Sequence, residues 1–159
     1  MTLHDKRLQR RPAMRVAGLA LRTDNATEAQ PEIGKIPGLW QRFRSEDWFD
    51  RLGKLGASGP PIGIYSAYES DASGSYQLTA GREIPANLTV AAPLQVVSVP
   101  AGSYLLFRSS GALPGSVIRG WQDVWAYFEQ PGAPSRAFTY DVEIYPDAET
   151  VEIWVAIED

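Results

Sequence analysis

The sequence predicts an α+β fold built from two β-α-β-β halves, and three observations carry the prediction. Pro12-Ala13 leads into the apolar run Val16-Ala17-Gly18-Leu19-Ala20-Leu21 and then a helix bearing Trp40-x-x-Phe43. Pro100-Ala101-Gly102 leads in the same way into Tyr104-Leu105-Leu106-Phe107 and a helix bearing Trp125-x-x-Phe128. Each helix is followed by two short strand-like runs, so the chain reads as a duplication with a seam, and a seam between repeats is a natural place for a small molecule. The half-repeats span about 12–84 and 94–159, with 1–11 as a tail or edge strand. At 159 residues the chain suits one domain, or two half-domains sharing one core.

The elements are set in order by local patterns. A strand over about 14–23 is bounded by Thr23-Asp24-Asn25. Residues 29–55 read as helix in two pieces, because Pro37 cannot donate a helical hydrogen bond and Gly38 weakens the turn after it. Ile36, Leu39, Trp40 and Phe43 recur at helical spacing, and Trp48, Phe49 and Leu52 prolong the stripe. Strands over 62–70 and 76–84 flank the turn-forming run Asp71-Ala72-Ser73-Gly74-Ser75. A bridge over 84–93 is framed by Pro85 and Pro93, and strands over 94–99 and 103–109 surround Pro100-Ala101-Gly102. Pro114-Gly115-Ser116 opens a helix whose face carries Val117, Trp121, Val124, Trp125 and Phe128, and Gln130-Pro131-Gly132 ends it. Strands over 138–145 and 151–157 close the chain.

Composition narrows the function. With 44% hydrophobic residues, 15 Lys and Arg, and 19 Asp and Glu, the net charge of -4 argues against a general nucleic-acid binder. Lys6, Arg7, Arg10, Arg11 and Arg15 crowd near the start, where they read as a solvated lead-in to the first strand. The absence of cysteine excludes disulfides, thiolate metal sites and a cysteine nucleophile. There is no phosphate-cradling glycine loop and no metal-ligand cluster. His4 is the only histidine, so a Ser-His-Asp set is not available. No metal and no cofactor are expected. No apolar run approaches the roughly 20 residues that span a bilayer, and no leader pattern is visible, so the expectation is a cytoplasmic protein without a membrane partner.

The last two strands point to chemistry. In one, Val142 and Ile144 alternate with Asp141, Glu143 and Tyr145; in the other, Val151, Ile153, Val155 and Ile157 alternate with Glu152, Trp154, Ala156 and Glu158. If the two pair as a hairpin, Glu143, Tyr145, Glu152 and Trp154 are expected to share one face. Carboxylates among aromatic rings suit a cationic or amphipathic organic molecule, through the ring quadrupole and through Coulomb attraction that grows as water is excluded. On the residues alone, aromatic core packing beside surface carboxylates stays open as well. Trp121 and Trp125 in particular read as core unless their helix reaches a cleft.

In its order of motifs the chain resembles the gyrase-inhibitor-like small-molecule-binding family, also called the AraC-type effector-binding domain. The motifs are Val16-Ala17-Gly18, Leu39-Trp40-x-x-Phe43, Gly63-Ile64-Tyr65-x-x-Tyr68-Glu69-Ser70-Asp71-x-x-Gly74-x-Tyr76, Gly81-x-Glu83-Ile84, Val99-Pro100-Ala101-Gly102-x-Tyr104, Trp121-x-x-x-Trp125, Asp141-Val142-Glu143-Ile144-Tyr145 and Glu152-Ile153-Trp154-Val155. The resemblance runs from about Arg11 to the C-terminus and implies a single effector-binding-like domain over 1–159. It implies two β-α-β-β units related by a pseudo-twofold, on an antiparallel sheet with helices on one side and a ligand cleft on the other. It also implies a cleft carboxylate, which in multidrug-sensing members meets cationic drugs. Glu143 matches the family's glutamate, with Val142 where Phe is usual; Glu152 and Trp154 match the acidic and aromatic positions of the last strand; Tyr68 and Tyr104 match positions near the cleft. The customary Ile-Pro-Ile ending is Val155-Ala156-Ile157 here, which bears on the shape of the cleft floor.

The implied ligand-binding set is Glu143, Tyr145, Glu152, Trp154, Tyr104, Tyr68, Trp121 and Trp125. Only a dozen or so residues precede the resemblance, too few for the helix-turn-helix of the regulatory members, so a stand-alone protein without direct DNA binding is expected. The implied functions are a sensor or a sequestering resistance factor, a metal-independent hydrolase of strained cyclopropane-bearing or other reactive xenobiotics, or a gyrase-modulating interaction protein. A hydrolase would rest on Glu143 or Glu152 activating water.

Overall fold

The computed structural model describes residues 7–158; His4 and Lys6 lie outside the described residues. The first half holds β1 (Arg7–Arg11), β2 (Met14–Asp24), α1 (Asn25–Glu28), α2 (Ile36–Ser45), α3 (Trp48–Leu55), β3 (Ser58–Ser66) and β4 (Ser75–Ile84). The second holds β5 (Gln95–Val99), β6 (Gly102–Ser110), α4 (Gly115–Phe128), β7 (Arg136–Asp147) and β8 (Thr150–Ile157). All eight strands join one antiparallel sheet in the order β1-β6-β8-β7-β3-β4-β2-β5. That order reads the same from either edge when the halves are exchanged, with β7 beside β3 at the centre. The α+β class and the repeated strand-helix-strand-strand pattern read from the sequence are the observed ones.

The duplicated Pro-Ala steps have a structural meaning. Pro12 and Pro100 lie where each leading strand departs from the strand after it. β1 pairs with β6 of the second half, while β5 pairs with β2 of the first. Proline has no N–H to give a ladder, so it suits a point where pairing changes partner.

The helices differ from expectation in two details. Residues 29–35, expected to be helical, form the turns that link α1 to α2. Pro37 does not divide a helix but sits in the first turn of α2, where its missing N–H costs nothing. The break falls instead at Glu46–Asp47, with Asp47 at φ 60. Lys35 offers no side-chain cap to α2. The Glu28 carboxylate fills that role from a distance in sequence, accepting from the backbone N–H of Lys35 at 2.8 Å and of Ile36 at 3.0 Å.

Apolar alternation seats these helices on one face of the sheet. Leu39, Phe43, Trp48 and Leu52 pack on Ala17, Leu19, Leu78 and Ala80. Val124 packs on Phe107, Ile153 and Val155. Gly120 lets α4 approach closely, since a Cβ there would lie 2.8 Å from Ile153 Cδ1. The opposite face is closed without helices. Met14, Val16, Val97 and Val99 from one end of the strand order pack with Tyr104, Leu106 and Trp154 from the other, so the sheet curls on itself there.

Candidate functional site

A cleft of roughly 1380 Å³ opens between α2 and α4, on their own side of the sheet, with β3 and β7 as its floor. This corrects the implied placement of a cleft on the face opposite the helices. That opposite face is filled by its own apolar cluster, whereas the helices stand apart over the seam between the halves and leave a cleft there.

At the centre of the floor Glu143 of β7 pairs with Gly63 of β3. A Cβ at residue 63 would lie 3.2 Å from Glu143 Oε1 and 3.3 Å from Trp40 Cζ2, so only glycine leaves both where they are. The Glu143 side chain is buried to 1% exposure. Tyr145 donates its hydroxyl to Oε1 at 2.7 Å; Tyr65 donates to Oε2 at 2.7 Å and the Trp121 indole N–H to the same oxygen at 2.6 Å. These three donors are neutral, and no cationic group pairs with Glu143 among the described residues. Burial pushes its carboxyl above the ordinary carboxylate range, against the pull of the three hydrogen bonds. The Tyr65 and Tyr145 hydroxyls are pushed well up by burial and by the Glu143 charge, so they remain proton donors across the neutral range.

Two residues earlier, Asp141 is fully buried but paired. Arg136 Nη2 reaches it at 2.8 Å, Tyr68 donates its hydroxyl to the same carboxylate, and the Ala156 N–H donates at 2.9 Å. The guanidinium also lies over Phe138, 4.4 Å from the ring centre.

Of the residues expected at a ligand, Glu143, Tyr145, Tyr68, Trp121 and Trp125 line the cleft. Trp121 faces it through its hydrogen bond to Glu143, and Trp125 stands near the mouth, 41% exposed, with its ring 6.4 Å from that of Trp121. Glu152, Trp154 and Tyr104 are not among the lining residues. Tyr104 and Trp154 belong to the cluster on the opposite face, and Glu152 pairs with Arg108 at 3.3 Å. The cause is register: Glu143 faces Ile153, and Val142 faces Trp154, so the four residues expected on one face divide between two.

Sequence reasoning also missed part of the site. Trp40, placed by the sequence only on an apolar helical stripe, lines the cleft on α2, as do Tyr65 on β3 and Tyr76 on β4. The signal was present in a second repeat, Ile62-Gly63-Ile64-Tyr65 against Val142-Glu143-Ile144-Tyr145. Ile62 pairs with Ile144 and Ile64 with Val142, so the pseudo-twofold passes through the Gly63–Glu143 pair. The helices obey it too. Trp40 meets Tyr145 edge-on at 5.3 Å and 71°, and Trp121 meets Tyr65 at 5.2 Å and 70°. By contact the counterpart of Trp40 is therefore Trp121, one turn before the Trp125 that the motif comparison suggested.

Among the described residues no group of three or more His, Cys, Asp or Glu could hold a metal ion, and no helix is long and apolar enough to cross a membrane. The family model for integron-associated effector binding proteins matches residues 7–157. Among curated proteins none matches the sequence. An integron cassette protein from the mobile metagenome of Vibrio cholerae is similar in structure with a TM-score of 0.80, at 32% identity over 97% of this chain and 96% of that one. The protein SAV2435, solved bound to tetraphenylphosphonium, has the same fold with a TM-score of 0.76, at 21% identity over 96% of this chain and 93% of that one. A protein from Staphylococcus aureus MU50 described as a bacterial transcription regulation protein has a TM-score of 0.74, at 23% identity over 97% and 98%. The chain is a small-molecule-binding protein that belongs to the integron-associated effector binding protein family.

Proposed function

We propose that the cleft binds a lipophilic organic cation, and that the protein acts by holding it, as a sensor or a sequestering factor. The observation that carries this reading is Glu143: a carboxylate 1% exposed, held by Tyr65, Trp121 and Tyr145, with no cation of the protein to pair it among the described residues. A buried unpaired charge is costly to a fold, and a cation entering the cleft offsets that cost. The rings of Trp40, Tyr65, Trp121 and Tyr145 present faces and edges that suit a desolvated cation with apolar substituents. The tetraphenylphosphonium held by a protein of the same fold supports this ligand class.

Three of the carboxylate's acceptor positions are already occupied, which favours a cation without N–H donors over a primary amine. The same saturation leaves Glu143 poorly suited to take a proton from water, so binding is favoured over hydrolysis. Titration of tryptophan fluorescence with tetraphenylphosphonium tests the reading. Saturable binding that weakens about ten- to a hundredfold in Glu143→Gln, with the fold intact by circular dichroism, is expected for loss of a charge-assisted contact. Equal affinity in the variant would overturn it.

A further inference from the structure

We propose that the cleft selects monocations whose charged centre carries two aryl groups, one for each half of the molecule. This deepens the cation-binding reading and rests on it. The axis of the pseudo-twofold passes through Gly63 and Glu143, so the place where symmetry calls for a second carboxylate holds a glycine. One charge therefore serves both halves. On either side of it stand two aromatic wings of almost identical geometry, Trp40 with Tyr145 at 5.3 Å and 71°, and Trp121 with Tyr65 at 5.2 Å and 70°.

The wings are crossed between the repeats: each pairs a helix of one half with a strand of the other. Both tyrosines reach the axial carboxylate at 2.7 Å, Tyr65 on Oε2 and Tyr145 on Oε1. A ligand whose positive centre sits over Glu143 thus meets equivalent rings in two directions related by half a turn. A first aryl group fills one wing and a second fills the other. A third meets no equivalent partner.

A series of phosphonium ions tests this, because each carries one charge and no hydrogen-bond donor: trimethylphenyl-, dimethyldiphenyl-, methyltriphenyl- and tetraphenylphosphonium. In the unaltered protein the step from one aryl group to two should raise affinity roughly tenfold or more, the upper scale of one aromatic pair, and the step from two to three less than about threefold. Equal steps along the series would mean that the cleft responds to apolar area alone, and would overturn this inference while leaving cation binding intact. Trp40→Leu and Trp121→Leu supply the second arm. In each variant the ratio of dimethyldiphenyl- to trimethylphenylphosphonium affinity should fall from roughly tenfold to near one; the two ions carry the same charge, so the ratio cancels the donor that Glu143 loses in Trp121→Leu. Loss confined to one of the two variants would overturn the twofold reading. Failure of every ion in the series to bind would overturn the cation reading and this inference together.

Discussion

Asp141 and Glu143 stand two residues apart on the same face of β7, both buried to within 1% of complete, and only Asp141 has a cation among the described residues. One strand thus carries two carboxylates in opposite electrostatic states. Asp141 is balanced by Arg136 at 2.8 Å, whereas Glu143 is solvated by three neutral donors and left with its charge unbalanced. The first arrangement holds structure together. The second holds an attraction in reserve.

Asp141→Asn should therefore destabilise the protein by about 3–5 kcal/mol, because it strands a buried guanidinium. Arg136 has little else to turn to, since its side chain is 8% exposed and its Nε already lacks a hydrogen-bond partner. Urea denaturation measures the effect. A loss below about 1 kcal/mol would show that the pair is incidental to stability.

Gly63→Ala is the smallest change that disturbs the axis. The new methyl group would stand 3.2 Å from Glu143 Oε1 and 3.3 Å from Trp40 Cζ2, and 3.5 Å from Leu78 Cδ1 behind them, so the carboxylate and the indole must both shift. The cost to stability should be about 1–3 kcal/mol, as for overpacking elsewhere. Affinity for tetraphenylphosphonium should fall at the same time. Unchanged affinity would show that the seating of Trp40 does not matter to the ligand.

The architecture was legible because it rests on alternation and repetition, which short windows of sequence carry. The doubled Pro-Ala steps and the apolar stripes of α2 and α4 mark the two halves. Three of the eight residues expected at the ligand, Glu152, Trp154 and Tyr104, lie elsewhere, because a strand's two faces are told apart only by its partner's register. Glu152 and Trp154 alternate like cleft residues, but pairing with Ile144 and Val142 turns them to the other face. Trp40 and Trp121 carry the reverse lesson. An indole on an apolar helix stripe looks the same in sequence whether it fills a core or walls a cleft, and only the separation of α2 from α4 decides.

Glu152→Gln is accordingly expected to leave cation affinity unchanged. The residue lies on the curled face of the sheet, paired with Arg108 and accepting from the Trp154 indole at 3.3 Å. A parallel titration of Glu143→Gln and Glu152→Gln separates the two carboxylates. A comparable loss in both would refute the assignment of the site to the helix side.

The pH dependence of binding and of stability should run in opposite directions, and both originate in Glu143. Burial raises its folded-state pKa above the ordinary 4.5, so the folded protein takes up a proton more readily than the unfolded chain. The stability this group contributes is then fully present below about 4.5 and is lost as pH rises through the raised value. Cation binding needs the ionised form, so affinity for a permanent cation should decline as pH falls through that same value, by up to about tenfold per unit. Glu143→Gln removes both effects. Its amide can keep the local hydrogen bonds, with the carbonyl oxygen accepting from Tyr65 and Trp121 and the N–H₂ donating to the Tyr145 oxygen, so the variant should be at least as stable as the parent above the raised pKa. Thermal melts with and without tetraphenylphosphonium across mildly acidic to neutral pH measure the two slopes together. An affinity as flat with pH in the parent as in Glu143→Gln would show that the carboxylate does not read the ligand's charge.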